Sequence, residues 1–323
     1  MQLYDCVYGG FDVTEPLLTK LIESKPVQRL KKISQFGIPS HLCRSGYKAF
    51  TRYEHSIGVM FLLRSLGATL EEQAAGLLHD VSHTAFSHII DYVFGDPSVE
   101  DYQDNLHSQV VSESEIPVIL ARYGLNAESV SNIEKFGLLE RPAPDLCADR
   151  VDYALREMMG CGRAADACVC YSGLIVNEGK IVFSSLEKAA LFANHYARLY
   201  EEQWGDADSR ARYLLFSEAL KAALADETIS KTDFKEHDVH VFCKLESSVN
   251  PEVKKPLQLL ARRTRFQPSS SREATVLPGK FRCVDPLFLE KGKAVRLSSV
   301  DLQYAKLIEN QRKAYAEGIK VLL

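Results

Sequence analysis

The chain has 323 residues, a formal charge of -4 and a 46% hydrophobic fraction, which suits one large or two modest globular domains with a buried core. So mild a charge gives no reason to expect sequence-independent nucleic-acid binding across the surface, although it leaves room for a local basic groove. With no run of about 18 apolar residues and no basic-then-apolar leader, the expectation is a soluble, cytoplasmic protein that does not enter a membrane.

In chain order, EPLLTKLIESKPVQRLKKISQF, YEHSIGVMFLLRSLGA, LEEQAAGLLHD and FSHIIDYVFG read as successive helices, with apolar residues three and four apart and Gly37, Gly46, Gly67 and Gly95 at their boundaries. Thr69 followed by Glu72 predicts a capping box at the start of the third. LHSQVV starts another helix with His107 near its beginning, and NAESVSNIEKF and DLCADRVDYALREMM add two more. LIVNEGKIVF predicts a β-hairpin about an Asn-Glu-Gly-Lys turn. Two long helices follow, SLEKAALFANHYARLYEEQW and ADSRARYLLFSEALKAALAD. Beyond residue 228 the pattern shortens into alternating segments such as HDVHVFCKLE, Pro and Ser clusters, and a last helix, SSVDLQYAKLIENQRKAYAEGI. The expected fold is mainly α, with a helical domain over 1–227 and a small α+β unit over 228–323. PSSSRE reads as a mobile loop, and the three arginines of LARRTR are candidates to face a phosphate.

The chemistry concentrates in His55, His79, Asp80 and Asp149. Two imidazoles and two carboxylates suit a divalent cation that activates water. Adjacent residues on a continuous helix diverge by about 100°, but His79 and Asp80 sit at a helix end, where both can reach one ion. The eight cysteines lack the paired spacing of a zinc knuckle, and the cluster Cys161, Cys168 and Cys170 reads as small buried residues.

RYEHSIGV, AGLLHDVSHTAFSH and ADRVDY resemble motifs of the HD-domain superfamily of metal-dependent phosphohydrolases. VQRLKKISQFG resembles the helix before the first histidine in the deoxynucleotide triphosphohydrolase branch, and RCVDPLFLEKGKAVRLSSVDLQYAKLI is similar to the ending of many such proteins. The resemblance covers most of the chain and is strongest over 26–157. It implies that His55, His79, Asp80 and Asp149 hold one divalent ion (manganese, iron, magnesium, nickel, cobalt or zinc), with room for a second. It also implies that His83, His88 and His107 surround the substrate phosphates. Asp91 lies three residues after His88 and can orient its imidazole and raise its pKa, which makes His88 the candidate general acid.

By the same resemblance Arg52, Arg150 and Tyr153 line the phosphate site, Gln35 and Glu157 contact the sugar, and Tyr196 and Tyr200 fall on a row facing the substrate. The chain departs from the branch at three places. Glu157 stands where the family has Asp; Cys6 and Tyr8 replace a proline and histidine near the N-terminus; and no arginine matches the one that holds the distal phosphates, Glu201 and Glu202 following Tyr200 instead. His41, His195, His237 and His240 read as structural. The expected function is hydrolysis of a nucleotide or related phosphate ester, most specifically of a deoxynucleoside triphosphate. The alternatives are a nucleoside monophosphate phosphatase, a diiron oxygenase of the same superfamily, or a non-catalytic nucleotide sensor. A homo-oligomer is expected from the family alone.

Overall fold

The computed structural model describes residues 1–43, 49–262 and 265–323. Gly46 and Arg263, invoked above as a boundary residue and as one of three clustered arginines, lie outside the described residues. The chain opens with a hairpin, β1 (Gln2–Asp5) and β2 (Gly9–Asp12), followed by α1 (Pro16–Glu23), α2 (Lys25–Arg29), α3 (Arg52–Ser65), α4 (Leu70–Leu78), α5 (Ile89–Phe94), α6 (Tyr102–Ser112), α7 (Ile116–Arg122) and α8 (Ala127–Ser131). Next come α9 (Ala148–Gly160), α10 (Ala164–Ser172), a second hairpin of β3 (Leu174–Asn177) and β4 (Lys180–Phe183), α11 (Leu186–Leu199) and α12 (Ala207–Ala225). The remainder holds α13 (Asp238–Ser247), α14 (Pro251–Ala261), β5 (Thr275–Leu277), β6 (Leu287–Glu290), β7 (Lys293–Arg296), α15 (Leu297–Val300), α16 (Leu302–Glu317) and β8 (Ile319–Val321). The fold is mainly helical, with small sheets at its margins.

Two large apolar clusters and two small ones make up the core of the described residues; the large pair set the positions of the helices around the site. The larger buries Leu62 and Leu63 of α3, Leu77 and Leu78 of α4, and Val151 and Leu155 of α9. The smaller packs Phe86 and Ile89 against Phe216 and Leu220 of α12 and Val241 and Leu245 of α13. The late strands are sewn into the earlier helical part: β4 pairs with β6 in parallel at Phe183 and Phe288, giving a four-stranded sheet in the order β3-β4-β6-β7.

Local chemistry explains several element ends. Thr51 caps α3 in a full capping box with Glu54. The box expected at Thr69 is half formed: Thr69 accepts from the Glu72 N–H, but the Glu72 carboxylate turns inward to accept from the Leu138 and Leu139 N–H groups at 2.9 and 3.2 Å. HDVHVFCKLE is a helix rather than a strand, because the His237 imidazole caps it through the His240 N–H and Val241 and Leu245 fall on one buried face. NAESVSNIEKF breaks into α8 and a 3-10 turn at Ile133–Lys135, and the final helix breaks at Asp301, whose carboxylate caps α16. His107 lies mid-helix in α6. Of the clustered cysteines only Cys170 is buried; Cys161 and Cys168 are exposed.

One glycine is dictated by close approach. A Cβ on Gly58 of α3 would stand 1.9 Å from Arg156 Nη2 and 2.1 Å from Asp152 Oδ1, so its absence lets α9 bring these two side chains against α3.

Candidate metal centre and adjoining cavity

Three helices deliver the four candidate ligands. His55 comes from the first turns of α3, His79 and Asp80 from the end of α4, and Asp149 from the first turn of α9. Because α4 ends at Leu78, the pair His79 and Asp80 escapes the divergence of a continuous helix and faces the same point. His55 Nε2 is 2.8 Å from Asp149 Oδ1, 3.2 Å from His79 Nε2 and 3.8 Å from Asp80 Oδ2, while His79 Nε2 is 3.4 Å from Asp80 Oδ1.

The far nitrogens of both imidazoles are spoken for. His79 Nδ1 donates to the Gly76 carbonyl and His55 Nδ1 to Asp152 Oδ2, each at 2.8 Å. This arrangement directs both Nε2 lone pairs toward each other and toward carboxylates, a cluster of acceptors that calls for a cation. Burial alone would push the His79 pKa down, yet Asp80, Asp149 and the Gly76 carbonyl outweigh it and hold it up at about 9. The pull on that proton is the pull the cluster exerts on any positive charge, so the donor set fits a divalent metal ion.

Beside the ligands, Asp152 is a residue that sequence reasoning missed. It accepts from His55, from Tyr8 Oη at 2.8 Å and from Arg156 Nε at 2.7 Å, and Arg156 is anchored in turn by Asp5 at 2.6 Å. The N-terminal hairpin thus braces the His55 ring through Tyr8 and Asp5. The signal was present: Asp149 and Asp152 are three apart on one helix, hence neighbours on one face.

A cavity of about 510 Å³ opens over the centre, lined by His79, Asp80 and Asp149 at one side. His83 and His88 line it too, with ring centroids 4.9 Å apart. His83 Nε2 is 3.3 Å from Asp80 Oδ1, and burial followed by the Arg52 charge pushes its pKa well down. His88 Nδ1 meets Asp91 Oδ2 at 3.2 Å, and Asp91 Oδ1 is fixed by the Tyr102 N–H. His107 stands behind the wall, its Nδ1 3.3 Å from Ser82 Oγ and its Nε2 buried without a partner; burial lowers its pKa to about 4. Phe86 and Ser87, both with left-handed φ, make the sharp turn that presents His88, and Ser87 Oγ accepts from Arg52 Nε.

Arg52 pairs with Asp80 at 2.9 Å and keeps Nη2 buried without an acceptor. Arg150 spends its guanidinium on the Arg141 and Asp145 carbonyls and the Cys147 thiol. Tyr153 and Tyr196 join hydroxyl to hydroxyl at 2.6 Å, with Trp204 packed edge-on against both. Trp204 Nε1 donates to Glu157 Oε1, while Glu157 Oε2 and Gln35 Oε1 are buried without partners. Burial raises the Glu157 carboxyl to about 8. Tyr200 sits behind the wall and accepts from Arg210 Nη2. Lys280, Arg282 and Arg210, none of them singled out from sequence, line the same cavity.

The HD domain family model matches residues 52–133, the segment carrying His55, His79 and Asp80. Metal-dependent phosphohydrolase cns2 of Cordyceps militaris is 31% identical over 90% of this chain and 85% of its own. The chain belongs to the HD-domain metal-dependent phosphohydrolases. Uncharacterized protein YdhJ of Bacillus subtilis is 38% identical over 99% of this chain and 98% of its own. Mouse deoxynucleoside triphosphate triphosphohydrolase SAMHD1 is 30% identical over 40% of this chain and 22% of its own. A phosphohydrolase from Bacteroides thetaiotaomicron shares the HD fold, with a TM-score of 0.70 at 18% identity over 99% of this chain and 98% of that one. The family makes this chain a metal-dependent hydrolase. No helix among the described residues is long and apolar enough to cross a membrane.

Proposed function

We propose that this HD-domain enzyme hydrolyses a nucleotide, most specifically a deoxynucleoside triphosphate, with His55, His79, Asp80 and Asp149 holding one divalent ion. The observation that carries the reading is the two imidazole Nε2 atoms 3.2 Å apart, with Asp80 beside both and Asp149 Oδ1 2.8 Å from His55, at one side of a cavity of about 510 Å³, a size suited to a nucleotide. Such an ion would supply Lewis-acid polarisation of the phosphoryl group.

The chain's own residues do the rest. Asp91 holds His88 through Nδ1, so Nε2 is the nitrogen left to give a proton to the leaving oxygen. His83 and the Nη2 of Arg52 are placed to meet phosphate oxygens beside the centre. The faces of Tyr153, Tyr196 and Trp204 exclude water from one wall. Glu157, kept protonated by burial, and Gln35 offer hydrogen bonds to a sugar.

The test is a product-resolved screen of manganese-supplemented protein with deoxy- and ribonucleoside mono- and triphosphates. Release of inorganic triphosphate is the expected result; no product from any nucleotide would overturn the reading. A nucleoside monophosphate phosphatase is the second reading, favoured by Arg150, whose guanidinium is taken up by backbone carbonyls instead of reaching for further phosphates.

A further inference from the structure

Arg210 and Arg212 are two residues apart on α12, are 4% and 3% exposed, and differ in how they are satisfied. Arg212 binds Asp208 Oδ2 at 2.8 Å and the carbonyls of Leu42 and Leu260, the usual terms on which a guanidinium is buried. Arg210 has no carboxylate within 4 Å among the described residues. Of its five N–H groups only one, on Nη2, finds an acceptor among the described residues, the Tyr200 hydroxyl at 3.0 Å, and Nε is buried with none. It also stands one turn from the N-terminus of α12, where the helix dipole opposes a cation.

The neighbours sharpen the imbalance. Gly279 lies flat against the guanidinium, where a Cβ would be 3.0 Å from Nε and 3.1 Å from Cζ. The next residues of that loop, Lys280 and Arg282, line the cavity with Arg210. Both turn to one carboxylate, Glu100, which Arg282 contacts directly and Lys280 approaches to 4.0 Å. Lys280 and Arg282 therefore use up this one carboxylate between them, and Arg210 is left without any. Arg282 lines the same cavity as Asp149 and Tyr153, and Arg210 packs between the Tyr200 hydroxyl and the face of Tyr315.

We propose that Arg210, with Lys280 and Arg282, forms an anion subsite for a second phosphate group on the substrate, separate from the one at the metal centre. The site selects nucleotides carrying two or more phosphates over monophosphates. It supplies from α12 and the 279–282 loop the distal cation that the sequence lacks beside Tyr200. A buried, uncompensated guanidinium is costly in the free protein and is neutralised when the anion arrives. This proposal rests on the nucleotide reading above and narrows it.

Calorimetry on the full-length protein, titrated with sodium tripolyphosphate and separately with sodium phosphate in metal-free buffer, tests the subsite without requiring turnover. Arg210→Gln should weaken tripolyphosphate about 10- to 100-fold, with a smaller loss for phosphate, and Arg210→Lys should recover part of it. In the manganese-supplemented enzyme the same variant should lose more kcat/KM on a triphosphate than on its monophosphate. If Arg210→Gln does not fold, Lys280→Gln, at a half-exposed position, carries the test with a weaker loss of the same sign. Equal affinity for tripolyphosphate in the folded variants, or equal losses on both anions, would overturn the subsite. Tripolyphosphate binding that depends on Arg210 in a protein that hydrolyses no nucleotide would leave the subsite standing and refute the catalytic reading.

Discussion

The two ends of the cavity are satisfied in opposite ways. At the metal end the ligand imidazoles are tied down: Asp152 accepts from His55, Tyr8 and Arg156, and the Gly76 carbonyl fixes the second imidazole. At the far end Arg210 is buried against a glycine with no carboxylate of its own, while Lys280 and Arg282 share Glu100. The tight end holds ligand atoms to a small tolerance, as a metal requires; the loose end keeps charge in reserve for an anion.

The contrast breaks most sharply if the tight end can be dismantled without consequence. Asp149→Ala and Asp80→Ala should each lose bound metal and abolish turnover, read by elemental analysis alongside the assay. Removing the brace is the finer cut. Asp152→Asn should weaken metal binding about 10- to 100-fold, and Tyr8→Phe should do so by less, both measured as metal affinity with the fold checked by melting. If Tyr8→Phe binds metal as the unaltered protein does, the N-terminal hairpin is no part of the centre.

Two smaller effects concern stability. Gly58→Ala forces a methyl group into the space of Arg156 and Asp152, and should cost about 1–3 kcal/mol in chemical denaturation. Glu157 has its folded-state pKa raised by burial to about 8, from an ordinary value of 4.5. Between those values the folded protein holds a proton the unfolded chain has released, so this residue makes stability fall as pH rises from about 4.5 to about 8. Glu157→Gln should therefore raise the melting temperature at pH 8 and leave it nearly unchanged at pH 4. A gain that is the same at both pH values would show that Glu157 is not held neutral.

The sequence made the tight end legible because its residues sit in short segments: RYEHSIGV, LLHDVSH and ADRVDY each place their polar residues at fixed offsets on a helix. The predicted hairpin at LIVNEGKIVF and most helices up to α12 follow from the same local rules. The loose end was invisible because Glu100, Arg210, Lys280 and Arg282 come together only through tertiary packing, and a lone arginine in SRARYLL carries no sign that one neighbour is paired and the other is not. HDVHVFCKLE misled by its alternation, since capping by His237 and one buried face decided for a helix. Arg150 was read from its position, but the loop carbonyls of Arg141 and Asp145 claim its guanidinium.

The most direct test of the central claim is product-resolved hydrolysis of deoxynucleoside triphosphates by the manganese-loaded protein and by metal-stripped Asp149→Ala. The account predicts inorganic triphosphate from the first and no product from the second. Undiminished hydrolysis by the stripped variant would contradict it.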